Sequence, residues 1–469
     1  MARSRAADLL MANDQHPEDP RPGNPSRSRD HFRWDDRHHQ PHTDMGKWEK
    51  FFASRSDAAQ FLRLLGRNVT RFGPVVWRYR ALLHTPQAPQ PVANDTFGVA
   101  VSPTPETWGR YLERIRDLDV RALLIRVPSW APEPVFALHD ELARLREEGT
   151  RFTFTLLQNR ELVNDPERWG AFVCRAAARL GDLEPTFQLG HAINRKKWGI
   201  WHPDEYVRLM EAAAPARDAS PSCRWIGPPV IDFEYYFTIH YLVGERPFDF
   251  DGIAALLYVD RRGSPHNVQY GHFDLYRKIL LLRAVIQASG HPDVPIHLTE
   301  FNWPLKGSGK HSPAGEHVQT DEAGQARYLV LYYLTAAATG QVASTFWWQL
   351  VARGYGLLDE DDAWTERRAY RAFMHLLART RGRVVRRLPE SIRPLRGFLL
   401  QRGDQTEAML YTAGEELPLD PAFPVQDATD LIGNVLAAKG ITARPDPIYV
   451  SLGAANLAEV VEVLASRRK

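Results

Sequence analysis

Glu300 lies in the run HLTEFNWP, where an apolar stretch ends in a carboxylate just before Asn302 and Trp303. A carboxylate in that position can attack an electrophilic carbon or stabilise a developing cation, provided that a neighbouring charge keeps it ionised. Arg126, near the end of RALLIRV, is the candidate neighbour, because a guanidinium offers both charge and paired N–H donors. The alternative for this pair is a purely structural ion pair. Further carboxylates are Asp232 and Glu234 in VIDFEYYF and Asp260 in YVDRRG, and the polar residues Gln158, Asn194, Arg195 and Tyr258 also close apolar runs. Trp198, Trp201, Trp303, Trp347 and Trp348 stand near the same ends, where flat rings could stack on sugar faces or equally fill a core. Two basic clusters, Arg195 with Lys196 and Lys197 and Arg261 with Arg262, suit recognition of carboxylate or phosphate. Local pairing with Asp232, Asp260 or Glu205 accounts for them equally well.

These residues have one thing in common: each follows a short apolar run. Eight such runs, at 97–102, 121–127, 152–158, 186–193, 224–234, 253–259, 295–301 and 343–350, alternate with helix-like stretches. That alternation predicts βαβ units in a parallel sheet, and eight strands predict a (β/α)8 TIM barrel over residues 95–380. A doubly wound open sheet would alternate in the same way, but no Gly-rich phosphate loop follows any run. In a barrel the strand ends converge on one pocket, which would gather the polar residues above.

The remainder of the 469 residues flanks the barrel. Residues 1–44, rich in Pro, Arg, Asp and His, predict a disordered tail. Residues 45–94 predict a basic amphipathic helical extension, broken near Gly73-Pro74, followed by a linker. It is read either as a helical pair packed on the barrel bottom or, over residues 48–83, as a contact with an anionic membrane surface. Residues 381–469 predict a small β-rich domain with a terminal helix. The stretch 305–320, with its Gly and Ser residues, predicts a mobile loop over the pocket.

The stretch ending in Glu300 resembles the seventh strand of the clan A glycoside hydrolases. Arg126, Asn194, Tyr258 and Trp347 match further positions of that pattern, on strands two, four, six and eight. The resemblance implies that Glu300 is the nucleophile, that Arg126 and Tyr258 orient it, that Asn194 binds a sugar hydroxyl and that Trp347 supports the ring. It also implies a glutamate directly after Asn194 as acid/base, where this chain has Arg195. Arginine cannot deliver a proton near neutrality, since its pKa lies above about 12. A two-carboxylate mechanism places its partners about 5 to 5.5 Å apart for retention and about 6.5 to 9.5 Å for inversion. Asp232, Glu234 or Asp260 could supply the second carboxyl. Alternatively the barrel takes substrates with acidic leaving groups, or binds a saccharide without cleaving it, as in envelope polysaccharide assembly. A lyase or transglycosylase would use the same groups.

Composition narrows the partners. The 59 basic and 57 acidic residues nearly cancel, which argues against nucleic acid, and the 13 Trp and 16 Tyr suit a carbohydrate ligand. Cys174 and Cys223 are the only cysteines, too few for a disulfide framework and without metal-ligand spacing, so no metal or other cofactor is expected. Without an apolar signal core the expected location is cytoplasmic, with membrane association through residues 48–83 as the variant.

Overall fold

The computed structural model describes residues 32–34, 41–43, 58–85, 88–243, 248–312, 315–419, 425–437 and 440–453. The expected tail over 1–44 lies outside them apart from two paired three-residue strands, Phe32–Trp34 and Pro41–Thr43, and the expected C-terminal helix lies outside them altogether.

Eight parallel strands curl into a (β/α)8 barrel: β1 (Phe97–Val101), β2 (Ala122–Pro128), β3 (Arg151–Leu157), β4 (Thr186–Leu189), β5, β6 (Ile253–Leu256), β7 (Ile296–Phe301) and β8 (Val342–Trp347). Sequential strands pair in parallel, and β8 returns to pair with β1. Strand β5 is in two pieces, Arg224–Ile226 and Val230–Ile231, around Gly227, Pro228 and Pro229. Two successive prolines cannot donate to a ladder, so the segment divides: its first piece pairs with β4, its second with β6. A bridge between Ile226 and Gly252 joins the first piece to the start of β6.

β1, β2 and β7 are buried along their whole length, as strands covered on both faces must be, and this is why their sequences read as continuous apolar runs. The cover comes from helices α2 (Trp108–Leu118), α3 (His139–Glu147), α4 (Pro166–Leu180), α5 (Pro203–Ala219), α6 (Tyr235–Leu242), α7 (Leu275–Ala288), α8 (Glu322–Ala338) and α9 (Arg368–Thr380). Several begin at side-chain caps: Asp165, Asp274 and Asp321 each accept from a backbone N–H three residues on.

Ahead of the barrel runs α1 (Ala58–His84), a single helix that continues through Pro74. The expected break at Gly73-Pro74 does not occur. Both residues face solvent, where water can take the carbonyl that Pro74 leaves without a donor. Nor does α1 lie on the barrel bottom. It crosses the flank near the rim, where the Asn68 side chain donates to the Tyr236 carbonyl (3.0 Å) and Tyr79 Oη meets His272 Nε2 (2.8 Å).

The chain ends in an antiparallel sheet. Its strands are β9 (Val384–Arg387), β10 (Leu395–Arg402), β11 (Gln405–Thr412), β12 (Asp427–Asp430), β13 (Val435–Leu436) and β14 (Ile448–Gly453), in the spatial order β9-β10-β11-β14-β12-β13. Alternation decides its faces: Phe398, Leu400, Met409, Tyr411 and Tyr449 join the barrel core, while Leu399, Ala408, Leu410 and Val450 form a second core with Leu419 and Ile441. Buried Glu407 pins the sheet to α9 through Arg379 and also pairs with Arg383 (2.6 Å).

Candidate active site

At the C-terminal end of β7 the register against β8 shifts between Leu298 and Phe301, and Glu300 enters the barrel mouth. It is buried, with three donors converging on its two oxygens. Oε2 receives Arg126 Nη2 at 2.6 Å and faces His191 Nε2 at 3.1 Å, and Oε1 receives the Tyr258 hydroxyl at 2.6 Å. Burial alone would raise the Glu300 pKa, but the hydrogen bond from His191, the charge of Arg126 and the hydrogen bond from Tyr258 outweigh it and hold the group at about 2. His191 is itself pushed down to about 4, by burial first and by Arg126 second. It is therefore neutral at neutral pH, and Arg126 is the cation that keeps Glu300 ionised there. The neutral ring has a consistent tautomer: Gln188 Nε2 approaches Nδ1 (3.3 Å), which leaves the Nε2 proton for Glu300.

Arg126 is fixed from both sides. Its guanidinium carbon lies 3.4 Å from the centroid of the Trp348 ring and 5.2 Å from that of Trp198. Trp198 also meets the His191 ring edge-on at 4.3 Å. Behind them Gln158, fully buried, accepts from the His191 backbone and donates to the carbonyls of His191 and Trp198, so it shapes the loop after β4 rather than facing a ligand. The loop's far end is held by Glu205, which accepts from the backbone N–H groups of Trp201 and His202 and pairs with Arg160.

The carboxylates sought as acid partners form a separate group on the rim. Arg195 donates to Asp232 at 2.6 Å and to Glu234 at 2.9 Å, so one guanidinium serves both. Asn194 spends its amide in the same place, bonding the Ile231 backbone in both directions and donating to Glu234 at 2.7 Å. This cluster ties the β4 loop to the end of β5. Asp260 opens the turn after β6, apart from this cluster. Beneath that turn Lys278 Nζ reaches the Tyr258 carbonyl at 3.2 Å, and burial, opposed by Asp260 and Asp232, brings its pKa to about 8.

Of the paired arginines after β6, Arg261 is exposed, whereas Arg262 turns inward, lies 4.2 Å from the Tyr258 ring centroid and bonds the Asn302 side chain. Both have positive φ, and this reverses the side-chain direction that regular spacing would suggest. Lys197 lies within the same field: burial lowers its pKa, Glu300 opposes that, and Arg126, Arg262 and Arg195 add to it. Lys197 and Arg262 thus add positive charge near Glu300 and its partner Tyr258.

The tryptophans divide by strand parity. Trp303 and Trp347 pack against Phe301 outside the strands, and Trp303 Nε1 donates to the Gly263 carbonyl. Trp348, one residue beyond Trp347, is the ring that turns to the mouth. Trp130 and Trp201 remain half-buried at the rim, with Trp130 packed beside Ala192 and Trp198. The 305–320 stretch is strapped at both ends, Leu305 N to the Gly354 carbonyl and Lys306 N to that of Thr320. Sequence spacing placed Glu300, Arg126 and Tyr258 together. It named Lys197, Arg262 and Trp348 only as members of the basic clusters and the tryptophan set, and singled out their neighbours Arg195, Arg261 and Trp347 instead.

The chain matches no known protein family by sequence, and no curated protein is a detectable sequence relative. Solved structures do share the fold. A glycoside hydrolase family 30 subfamily 8 xylanase from Clostridium acetobutylicum superposes with a TM-score of 0.50 at 12% identity, over 78% of this chain and 98% of its own. A family 30 endoxylanase from Clostridium papyrosolvens gives 0.49 at 12% identity over the same shares. At that identity the likeness shows the TIM-barrel fold and no more.

Proposed function

We propose that this barrel is a glycoside hydrolase-like protein that takes an anionic saccharide, with Glu300 as nucleophile. The observation that carries the reading is the Glu300 carboxylate itself, kept ionised at a strand end by Arg126, His191 and Tyr258. Oε2 already takes two donors, whereas Oε1 takes one, so the remaining lone pair of Oε1 is the one aimed at a substrate carbon. Attack there forms a glycosyl ester, and the leaving group departs with the bonding electron pair. Water then cleaves the ester and restores the carboxylate. Lys197 and Arg262 supply more positive charge than Glu300 neutralises, which fits a uronic acid or a phosphorylated sugar.

Asp232 and Glu234 remain the candidate second carboxyls, but both are bound by Arg195. Held there, neither is positioned as a free acid beside Glu300, and substrates whose leaving groups depart as stable anions are preferred. The same observation favours a second reading, a saccharide-binding barrel that does not turn over, in envelope polysaccharide assembly.

Aryl glycosides with acidic phenol leaving groups, including glucuronides and galacturonides, separate the two readings. Turnover by the wild type that falls on the order of a thousandfold in Glu300→Ala, with azide restoring release as the glycosyl azide, supports the nucleophile. Saccharide binding by calorimetry without turnover of any aryl glycoside supports the binding barrel.

A further inference from the structure

The helix α1 has two apolar faces, and the fold uses only one. Leu64, Val75 and Tyr79 are buried against the barrel flank. Leu62, Leu65, Val69 and Phe72 recur at alternating spacings of three and four on another stripe and are 66%, 49%, 67% and 70% exposed, with Trp77 beside them at 67%. Burying large side chains is worth most where they are greasiest, so a row of them in water lacks an explanation within the fold.

The patch extends beyond the helix. Nine large apolar residues are exposed among the described residues: these five, Tyr236, Val268, Tyr270 and Val435. All but Val435 lie on α1 or on segments it touches. Asn68 bonds the Tyr236 carbonyl, Tyr79 bonds His272, and the Tyr270 ring lies 6.3 Å from Phe233, which packs on Phe273 against Tyr79.

Charge selects the occupant. Residues 58–84 hold Arg63, Arg67, Arg71, Arg78 and Arg80 and no Asp or Glu. A second copy would bring together two helices that each carry five arginines and no Asp or Glu, with no opposite charge to pair them. An anionic lipid surface offers acyl chains for the stripe and phosphates for the arginines. None of the described helices is long and apolar enough to cross a bilayer, so the contact lies in the plane.

We infer that α1, with the Val268–Tyr270 loop beside it, seats the protein on an anionic lipid bilayer through Leu62, Leu65, Val69, Phe72 and Trp77. This holds whether or not Glu300 turns over a substrate. The test is co-sedimentation of the full chain with phosphatidylcholine vesicles made with and without phosphatidylglycerol. Binding is expected only with phosphatidylglycerol, weakened by salt, about tenfold or more weaker in Phe72→Ser and roughly fivefold weaker in Arg63→Gln. Val435→Ser is the control for surface apolarity alone and should bind as wild type does. All three variants change exposed side chains, and unchanged melting curves would verify that they fold. Equal binding to both vesicle types, equal binding by Phe72→Ser and wild type, or no binding at all overturns the proposal. Concentration-dependent dimerisation abolished by Phe72→Ser would assign the face to a second copy and overturn it as well.

Discussion

Two arginine–carboxylate groups stand at the ends of the barrel strands, in different media. Arg126 and Glu300 are 2% and 6% exposed. Arg195, Asp232 and Glu234 are partly open to water, with side chains between 28% and 46% exposed. The same chemistry therefore has different consequences. In the buried group the pairing fixes a charge state and a direction, while on the rim it fixes a loop and can be exchanged for a ligand's own charges at modest cost.

The largest effect expected is from Arg126→Met, which strands a buried carboxylate. Unfolding in urea should show a loss of about 3 to 5 kcal/mol. The loss should also depend on pH. With Arg126 gone the folded-state pKa of Glu300 rises above its unfolded value, so the variant should lose stability relative to wild type as pH rises from about 5 to 8. A stability change below about 1 kcal/mol would show that the buried group is no stronger than the rim.

The wild type should behave oppositely. His191, His240, His297 and His375 are held at about 4 and His266 at about 3, in each case by burial first. The unfolded chain takes up these protons near pH 6.5. Stability is therefore lost as pH falls from about 6.5 to about 4, by on the order of 5 °C or more in Tm. Glu300, held at about 2, stays ionised in the folded state through that window. Scanning calorimetry at stepwise pH tests this, and a flat Tm would mean that the histidines are better hydrated than their packing indicates.

Smaller still is Arg195→Gln, expected to cost less than about 1 kcal/mol because its partners remain hydrated. Hydrolysis of glycosides with poor leaving groups is the sharper readout, since the variant frees Asp232 and Glu234 from their shared guanidinium. At the bottom of the scale, Arg261→Ala should move stability by no more than about 0.5 kcal/mol and leave saccharide binding unchanged, while Arg262→Ala weakens binding of an anionic sugar. Equal effects of the two would contradict the inward turn of Arg262.

The legible and illegible parts of the sequence separate by mechanism. Strands covered on both faces must be apolar throughout, so all eight runs announced themselves, and the residues ending them, Glu300, Arg126 and Tyr258, came with them. Parity did not. A register shift in β7 and the one-residue difference between Trp347 and Trp348 decide which side chain enters the mouth, and neither leaves a mark in composition. Positive φ at Arg261 and Arg262 hid the inward arginine in the same way. The continuity of α1 through Pro74 depended on which side of the helix meets water, a property of the packing.

Strand β5 has a consequence for motion. Among the barrel strands this one is interrupted, giving three residues to β4 before Gly227, Pro228 and Pro229 and two to β6 after them, and the amide of Ile231 is taken by the Asn194 side chain instead of a strand. The barrel wall has a seam there, closed by side chains. Amide hydrogen exchange should be fastest among the barrel strands at 226–232, and slow when a ligand bridges the loops that seal it.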